Sequence, residues 1–165
     1  MENEVQIKRI LVAIDGSETS MRAAGYAINI SKGQKQEEKQ QEENAELIGL
    51  TVIDLTKLPN SFLAAASGYY GEKELEEKRK EAQQWLDKVK KLAKEQNYDI
   101  RYFKSEIIED ISSRIGSAIV DYAEGQNVSL IVMGTRGRTG FRKMLLGSVA
   151  SDVVTYAHCP VMVIK

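Results

Sequence analysis

Gly134, Gly137, Gly140 and Gly147 punctuate a segment that also carries Arg136, Arg138, Arg142 and Lys143. Glycine lets a backbone approach a ligand closely, and cations attract phosphate oxygens. Ser148 follows Gly147 directly and adds a hydroxyl that can cap a helix or donate to such an oxygen. On glycines and charges alone, two readings stand together: an anion site, or a tight turn on a solvated basic surface. No glycine precedes Lys-Ser or Lys-Thr at P-loop spacing, and no Gly-x-Gly opens a dinucleotide fingerprint. The chemistry on offer is the holding of a phosphate by main-chain donors.

Other chemically capable residues are few. Asp15, in Asp15-Gly16-Ser17, offers a carboxylate after an apolar run. His158 is the single histidine, which excludes a multi-histidine metal site, and with Cys159 and Pro160 it reads as a helix end leading into a strand. Cys159 has no second cysteine for an intrachain disulfide and is expected to be a buried small apolar residue. Asp54 either faces a crevice or caps a loop, and Trp85 reads as packing. Paired acids at a set spacing, or a base to orient water, do not emerge from the pattern.

Alternating strand and helix signals must position these groups. Apolar runs at Arg9–Ile14, Glu46–Ile53, Tyr98–Ile108, Leu130–Met133 and Val161–Ile164 read as strands. Met21, Ala24, Ala27 and Ile28 mark a first helix. Leu75, Ala82, Leu86, Val89 and Ala93 form the inward stripe of a long one over Glu72–Glu95. Ile111, Ile115, Ala118, Ile119 and Tyr122 predict a further helix, and Gly147–Val154 the last. Strands apolar on both faces predict a parallel sheet covered by helices on both sides, a three-layer α/β/α fold. The glycine-rich loop then joins a strand to a helix N-terminus, where free N–H groups and the helix dipole favour an anion. Ligands of such sheets sit beyond the carboxyl ends of the strands. If the first and fourth strands are neighbours, Asp15 and Gly134 open onto one crevice.

The chain of 165 residues is one domain's length, and its net charge of −1 exerts no global pull on nucleic acid. No run of about 18 apolar residues predicts a membrane span, and the polar start, Met1-Glu2-Asn3-Glu4, does not read as a secretory signal. A reducing cytoplasm is the expected location. Ser31–Asn44 is polar and low in complexity and reads as a surface insertion; Leu58–Gly71 reads as a variable loop, either a flap or a plain connection.

The spacing Gly134-x2-Gly137-x9-Gly147-Ser148 resembles that of the nucleotide-binding branch of the universal stress protein (UspA-like) family. Lys8-Arg9-Ile10-Leu11-Val12-Ala13-Ile14-Asp15-Gly16-Ser17 is similar to that family's opening strand and acidic turn. Leu130–Gly134 resembles its fourth strand, and His158–Ile164 its closing one. The likeness covers most of the chain. It departs at Glu109-Asp110-Ile111, where many relatives carry a Gly-x-Pro turn.

The resemblance implies an open five-stranded parallel sheet of order 3-2-1-4-5, a Rossmann-like fold of the adenine nucleotide alpha hydrolase type, over residues 1–165. It also implies ATP, or ADP or AMP, at the ends of the first and fourth strands, with Mg²⁺ able to enter alongside the phosphates. Carried over by position, Asp15 meets the ribose or adenine side, Ala13 and Leu47 flank the base, and Met133 lines its pocket. Gly134, Gly137, Gly147, Ser148 and Val149 surround ribose and phosphates, with Arg136 and Arg138 as candidates for the phosphate side.

The expected function is an adenine-nucleotide-binding regulatory switch or sensor in a stress response. A slow ATPase or nucleotide transferase, and a ligand-free dimerisation module, are the alternatives. A homodimer through the edge strand Val161–Ile164 is expected, with neither nucleic acid nor membrane as partner.

Overall fold

The computed structural model describes residues 7–32, 44–58, 71–135 and 146–165. Five strands, β1 (Arg9–Ala13), β2 (Glu46–Asp54), β3 (Phe103–Asp110), β4 (Leu130–Gly134) and β5 (Val161–Ile164), form one sheet of order β3-β2-β1-β4-β5. Every pairing is parallel. Among the described residues, four helices cover the sheet: α1 (Glu18–Ser31), α2 (Gly71–Glu95), α3 (Ile115–Gly125) and α4 (Ser148–Tyr156).

Each strand is apolar on both sides because each side meets helices. Alternation sends Ile10 and Val12 of β1 into one core with Ala23, Ala24, Ala27 and Ile28 of α1 and Leu86 and Val89 of α2. Leu11 goes the other way, to Ile48, Leu50, Ile119, Ile131 and Val153 under α3 and α4. In α2, Ala82, Leu86, Val89 and Ala93 are buried as their spacing predicts, while Leu75 is half-buried. Between α3 and α4 the approach is close: a Cβ built on Gly116 would lie 2.5 Å from Asp152 Cβ.

Two expected boundaries move, each for a local polar reason. The third strand starts at Phe103, not Tyr98. Asn97 takes φ 58 and Asp99 caps a 3₁₀ turn at Ile100–Tyr102 by accepting from Arg101 N, which breaks the extended run. Tyr98 is buried before the strand, its hydroxyl donating to the carbonyl of Ala45 at 2.7 Å, with the Tyr102 carbonyl at 3.0 Å. Ile111 is not in α3; it lies in a turn and is 79% exposed. There Asp110 accepts from Ser112 Oγ at 2.8 Å and Arg114 N at 3.2 Å, and Ser113 adopts φ 61. This side-chain-built turn stands where the sequence departs from the Gly-x-Pro pattern. Most of the polar insertion and of the variable loop lies outside the described residues.

Candidate functional site

β1 and β4 are neighbours, with Ile10 opposite Leu130 and Val12 opposite Val132. From their carboxyl ends the chain leaves to opposite faces, into α1 from β1 and toward α4 from β4. That reversal opens a crevice in the sheet edge.

On one lip stands Asp15. Its Oδ1 accepts from Ser17 N at 3.0 Å and from Ser17 Oγ at 2.6 Å. Ser17 in turn caps α1, its Oγ accepting from Ser20 N at 3.2 Å. Between them Gly16 takes φ 78, a left-handed conformation suited to glycine. Asp15, Gly16 and Ser17 thus form one small bonded unit.

The opposite lip is Gly134 and Thr135. A Cβ on Gly134 would lie 2.7 Å from Thr19 Oγ1 and 3.0 Å from its backbone carbon, so only glycine admits α1 this close. Thr135 N donates to Ile164 O at 2.7 Å, and Gly147 N donates to Thr135 O at 2.8 Å. These two bonds bring both ends of the glycine-rich segment together and tie them to β5. Gly147, extended at φ −71 and ψ 159, is the N-cap of α4, and no side chain caps that helix. The first amides of α4, at Ser148 and Val149, therefore sit at the crevice without an acceptor from the N-cap residue's side chain.

Between the lips lies a cavity of about 170 Å³. Ala13, Met133, Leu50 and Val52 form its sheet wall, and Ile115 and Ile119 of α3 close its side. Gly134, Thr135, Gly147, Ser148, Val149 and Ala150 complete it toward α4, with Ile14, Asp15 and Ser20 toward α1. Asp15 is the single ionisable side chain among the described lining residues. Whole small-molecule pockets run to roughly 300–1,000 Å³, so this space encloses one ring-sized apolar fragment. A polar remainder would extend along the lips.

Of the sequence-predicted site residues, Ala13, Asp15, Met133, Gly134, Gly147, Ser148 and Val149 converge on this cavity. Leu47 does not. It is fully buried among α1 and α2, opposite Ile10 near the amino end of β2, on the other face of the sheet. A strand's side chains alternate, so the residues of β2 that reach the cavity are Leu50 and Val52. Arg136, Gly137 and Arg138, together with Gly140, Arg142 and Lys143, lie outside the described residues. Sequence reasoning missed Leu50 and Val52, and also Ile14, Ser20, Ile115, Ile119, Thr135 and Ala150. Ile115 and Ile119 were legible as a helix face, but only the topology brings that face over the end of β2.

The remaining candidates stand elsewhere. His158 precedes β5, at the amino end of the strands away from the crevice, and bonds the Val128 carbonyl through Nε2 at 3.0 Å. Cys159 is half-buried against the α3–α4 core, and burial pushes its thiol up. Asp54 caps a turn, accepting from Thr56 N at 3.0 Å and Thr56 Oγ1 at 2.6 Å. Burial pushes its carboxyl up, but bonds from Thr56 and Lys57 outweigh this and hold it below the ordinary value. Among the described residues, no group of three or more His, Cys, Asp or Glu side chains is placed to hold a metal ion. No described helix is long and apolar enough to cross a membrane.

Comparison with known proteins agrees with this architecture. The profile of the Universal stress protein family matches residues 6–165. Universal stress protein MJ0531 of Methanocaldococcus jannaschii is 39% identical over 158 residues, covering 96% of this chain and 82% of that one. Universal stress protein YxiE of Bacillus subtilis is 32% identical, covering 95% and 98%. Among solved structures, MJ0577 superposes with a TM-score of 0.76 at 26% identity, covering 98% of this chain and 97% of that one. More distant neighbours share the fold. A universal stress protein solved in complex with cAMP has TM-score 0.60 at 21% identity, covering 96% of each chain. An Arabidopsis thaliana family protein solved with AMP bound has TM-score 0.55 at 16% identity, covering 96% and 91%. By its sheet order, the crevice at the β1–β4 reversal and this match along nearly its whole length, the chain belongs to the universal stress protein family.

Proposed function

We propose that the crevice binds an adenine nucleotide, ATP or its products ADP and AMP, and that the protein works as a regulatory switch which holds the nucleotide. One observation carries this reading: an apolar, ring-sized cavity lies between a carboxylate on one lip and a helix N-terminus without a side-chain cap on the other. The base enters between Leu50, Val52, Met133, Ile115 and Ile119. Asp15, already oriented by Ser17, accepts from the ribose hydroxyls. Phosphates reach the amides of Ser148 and Val149, where the first N–H groups and the dipole of α4 favour negative charge. Gly137, Arg136 and Arg138 add to the phosphate side. Asp15 or Ser148 would help hold a Mg²⁺ brought in with the phosphates, where it would neutralise phosphate charge; magnesium is commonly held by one or two carboxylates plus phosphate oxygens. The cAMP and AMP complexes of the distant fold neighbours support an adenine nucleotide as the ligand class.

Holding is favoured over turnover because Asp15 is the one ionisable described group at the cavity and it is engaged by Ser17. Fast phosphoryl transfer also needs a residue that positions the nucleophile. A homodimer through β5, at the sheet edge with Met162 36% exposed, and a cytoplasmic location complete the proposal.

The test is to incubate purified protein with ATP for hours, denature it, and identify what is released by mass spectrometry. Intact ATP recovered with the protein supports the switch. Conversion to ADP and phosphate refutes holding, and absence of any nucleotide refutes the ligand.

A further inference from the structure

The turn that carries Asp15 has two sides. The cavity is on one. On the other, Trp85 of α2 lies directly over Gly16: a Cβ built there would fall on Trp85 Cε2, within 2.5 Å of Nε1 and 2.8 Å of Cζ2. Trp85 packs against the α1–α2 core, across the sheet from Leu50, Met133 and Ile119. Gly16 holds φ 78, while Asp15 and Ser17 on either side of it are bonded to one another. A unit of three residues is therefore fixed internally by Ser17 and from behind by a rigid indole. Hydrogen bonds tie the ends of the turn, Ser17 to Ser20 N at the start of α1 and Ile14 N to the Leu50 carbonyl of β2. The packed ring backs its middle, because any retreat of Gly16 from the crevice drives it into the indole.

We propose that Trp85 is the positioning residue of the Asp15 turn, acting from the face of the sheet opposite the ligand, and that occupancy of the cavity is felt at its indole. The proposal rests on the nucleotide reading above and adds to it the residue that sets the carboxylate's place. It makes α2 the element that senses the ligand, since Trp85 and the core residues Leu86 and Val89 belong to one helix.

The chain has a single tryptophan, so its emission reports this position alone. Wild-type protein is titrated with ATP while emission is followed, with calorimetry in parallel on the same sample. The expected result is an emission change whose midpoint matches the calorimetric one. Trp85→Ala, which frees the back of the turn, is expected to weaken ATP binding about tenfold, the low end of what losing a hydrogen bond to a charged group costs. Trp85→Phe keeps a flat ring there and is expected to restore affinity, which a role in stability alone would not require. Heat of binding with no change in wild-type emission, or Trp85→Ala binding as tightly as wild type, overturns this proposal and leaves the nucleotide reading intact. No heat in the wild type overturns both. The emission titration needs no substitution, so it decides the matter even if Trp85→Ala does not fold.

Discussion

Ser148→Pro separates the main-chain amide at the start of α4 from everything else about that helix. Ser148 is the first helical residue, and its N–H has no acceptor inside the helix. Proline is favoured at this position, where its fixed φ suits the helix and the lost donor costs no helical bond. Gly147, at φ −71 and ψ 159, already has the extended conformation required before a proline. The substitution therefore keeps α4 and deletes one donor. If that donor meets a phosphate oxygen, the loss is that of a hydrogen bond to a charged group, about 1.5–3 kcal/mol. At about 1.4 kcal/mol per decade, ATP affinity falls roughly 10- to 100-fold. Thermal stability should hold or rise slightly, since proline also restricts the unfolded chain. Ser148→Ala, which keeps the amide, is the control and should lose far less. Calorimetry with ATP measures the affinities and circular dichroism the melting. A folded Ser148→Pro protein that binds ATP as tightly as wild type would refute the assignment of phosphate to this helix end.

Further outcomes follow from the same geometry. Val52→Trp should fill the roughly 170 Å³ cavity and abolish ATP binding in a folded protein, with spectroscopic melting as the check. Leu47→Ala, on the other face, should cost about 2–5 kcal/mol of stability by cavity creation and leave the affinity of the folded protein unchanged. Burial pushes the Tyr98 hydroxyl up to about 12. The folded protein thus retains a proton that the unfolded chain releases near pH ~10. This contribution is full below that value and is lost as pH rises through the folded one, on the order of 3 kcal/mol. Denaturant melts of wild type and Tyr98→Phe across alkaline pH should show the difference between them shrinking as pH rises, and a constant difference would contradict it. Light scattering should find a dimer at micromolar concentration, and Met162→Asp on the exposed edge strand should shift it to monomer.

Wherever apolar residues alone decide, the sequence pattern carries the fold. β1, β4 and β5 and the stripe of α2 follow directly from alternation and helical spacing. Side chains that bond their own backbone hide the rest. Asp99 capping its turn detached Tyr98 from β3, and Asp110 with Ser112 and left-handed Ser113 kept Ile111 out of α3. Aspartate followed two residues later by serine or arginine was the available signal at both places. At the site, Asp15, Gly134 and Gly147 could be paired because their loops follow strands that the alternation makes adjacent candidates. Leu47 was misplaced for want of the register: opposite Ile10 it stands at the wrong end and on the wrong face, and Leu50, opposite Ala13, is the wall. The cover of Ile115 and Ile119 and the indole behind Gly16 depend on how helices far apart in the chain cross the sheet, which spacing within one segment does not encode.

The most direct test of the central claim is calorimetric titration of nucleotide-stripped wild-type protein with ATP. Saturable binding, one nucleotide per chain, is the predicted result. No saturable heat up to millimolar ATP would contradict it.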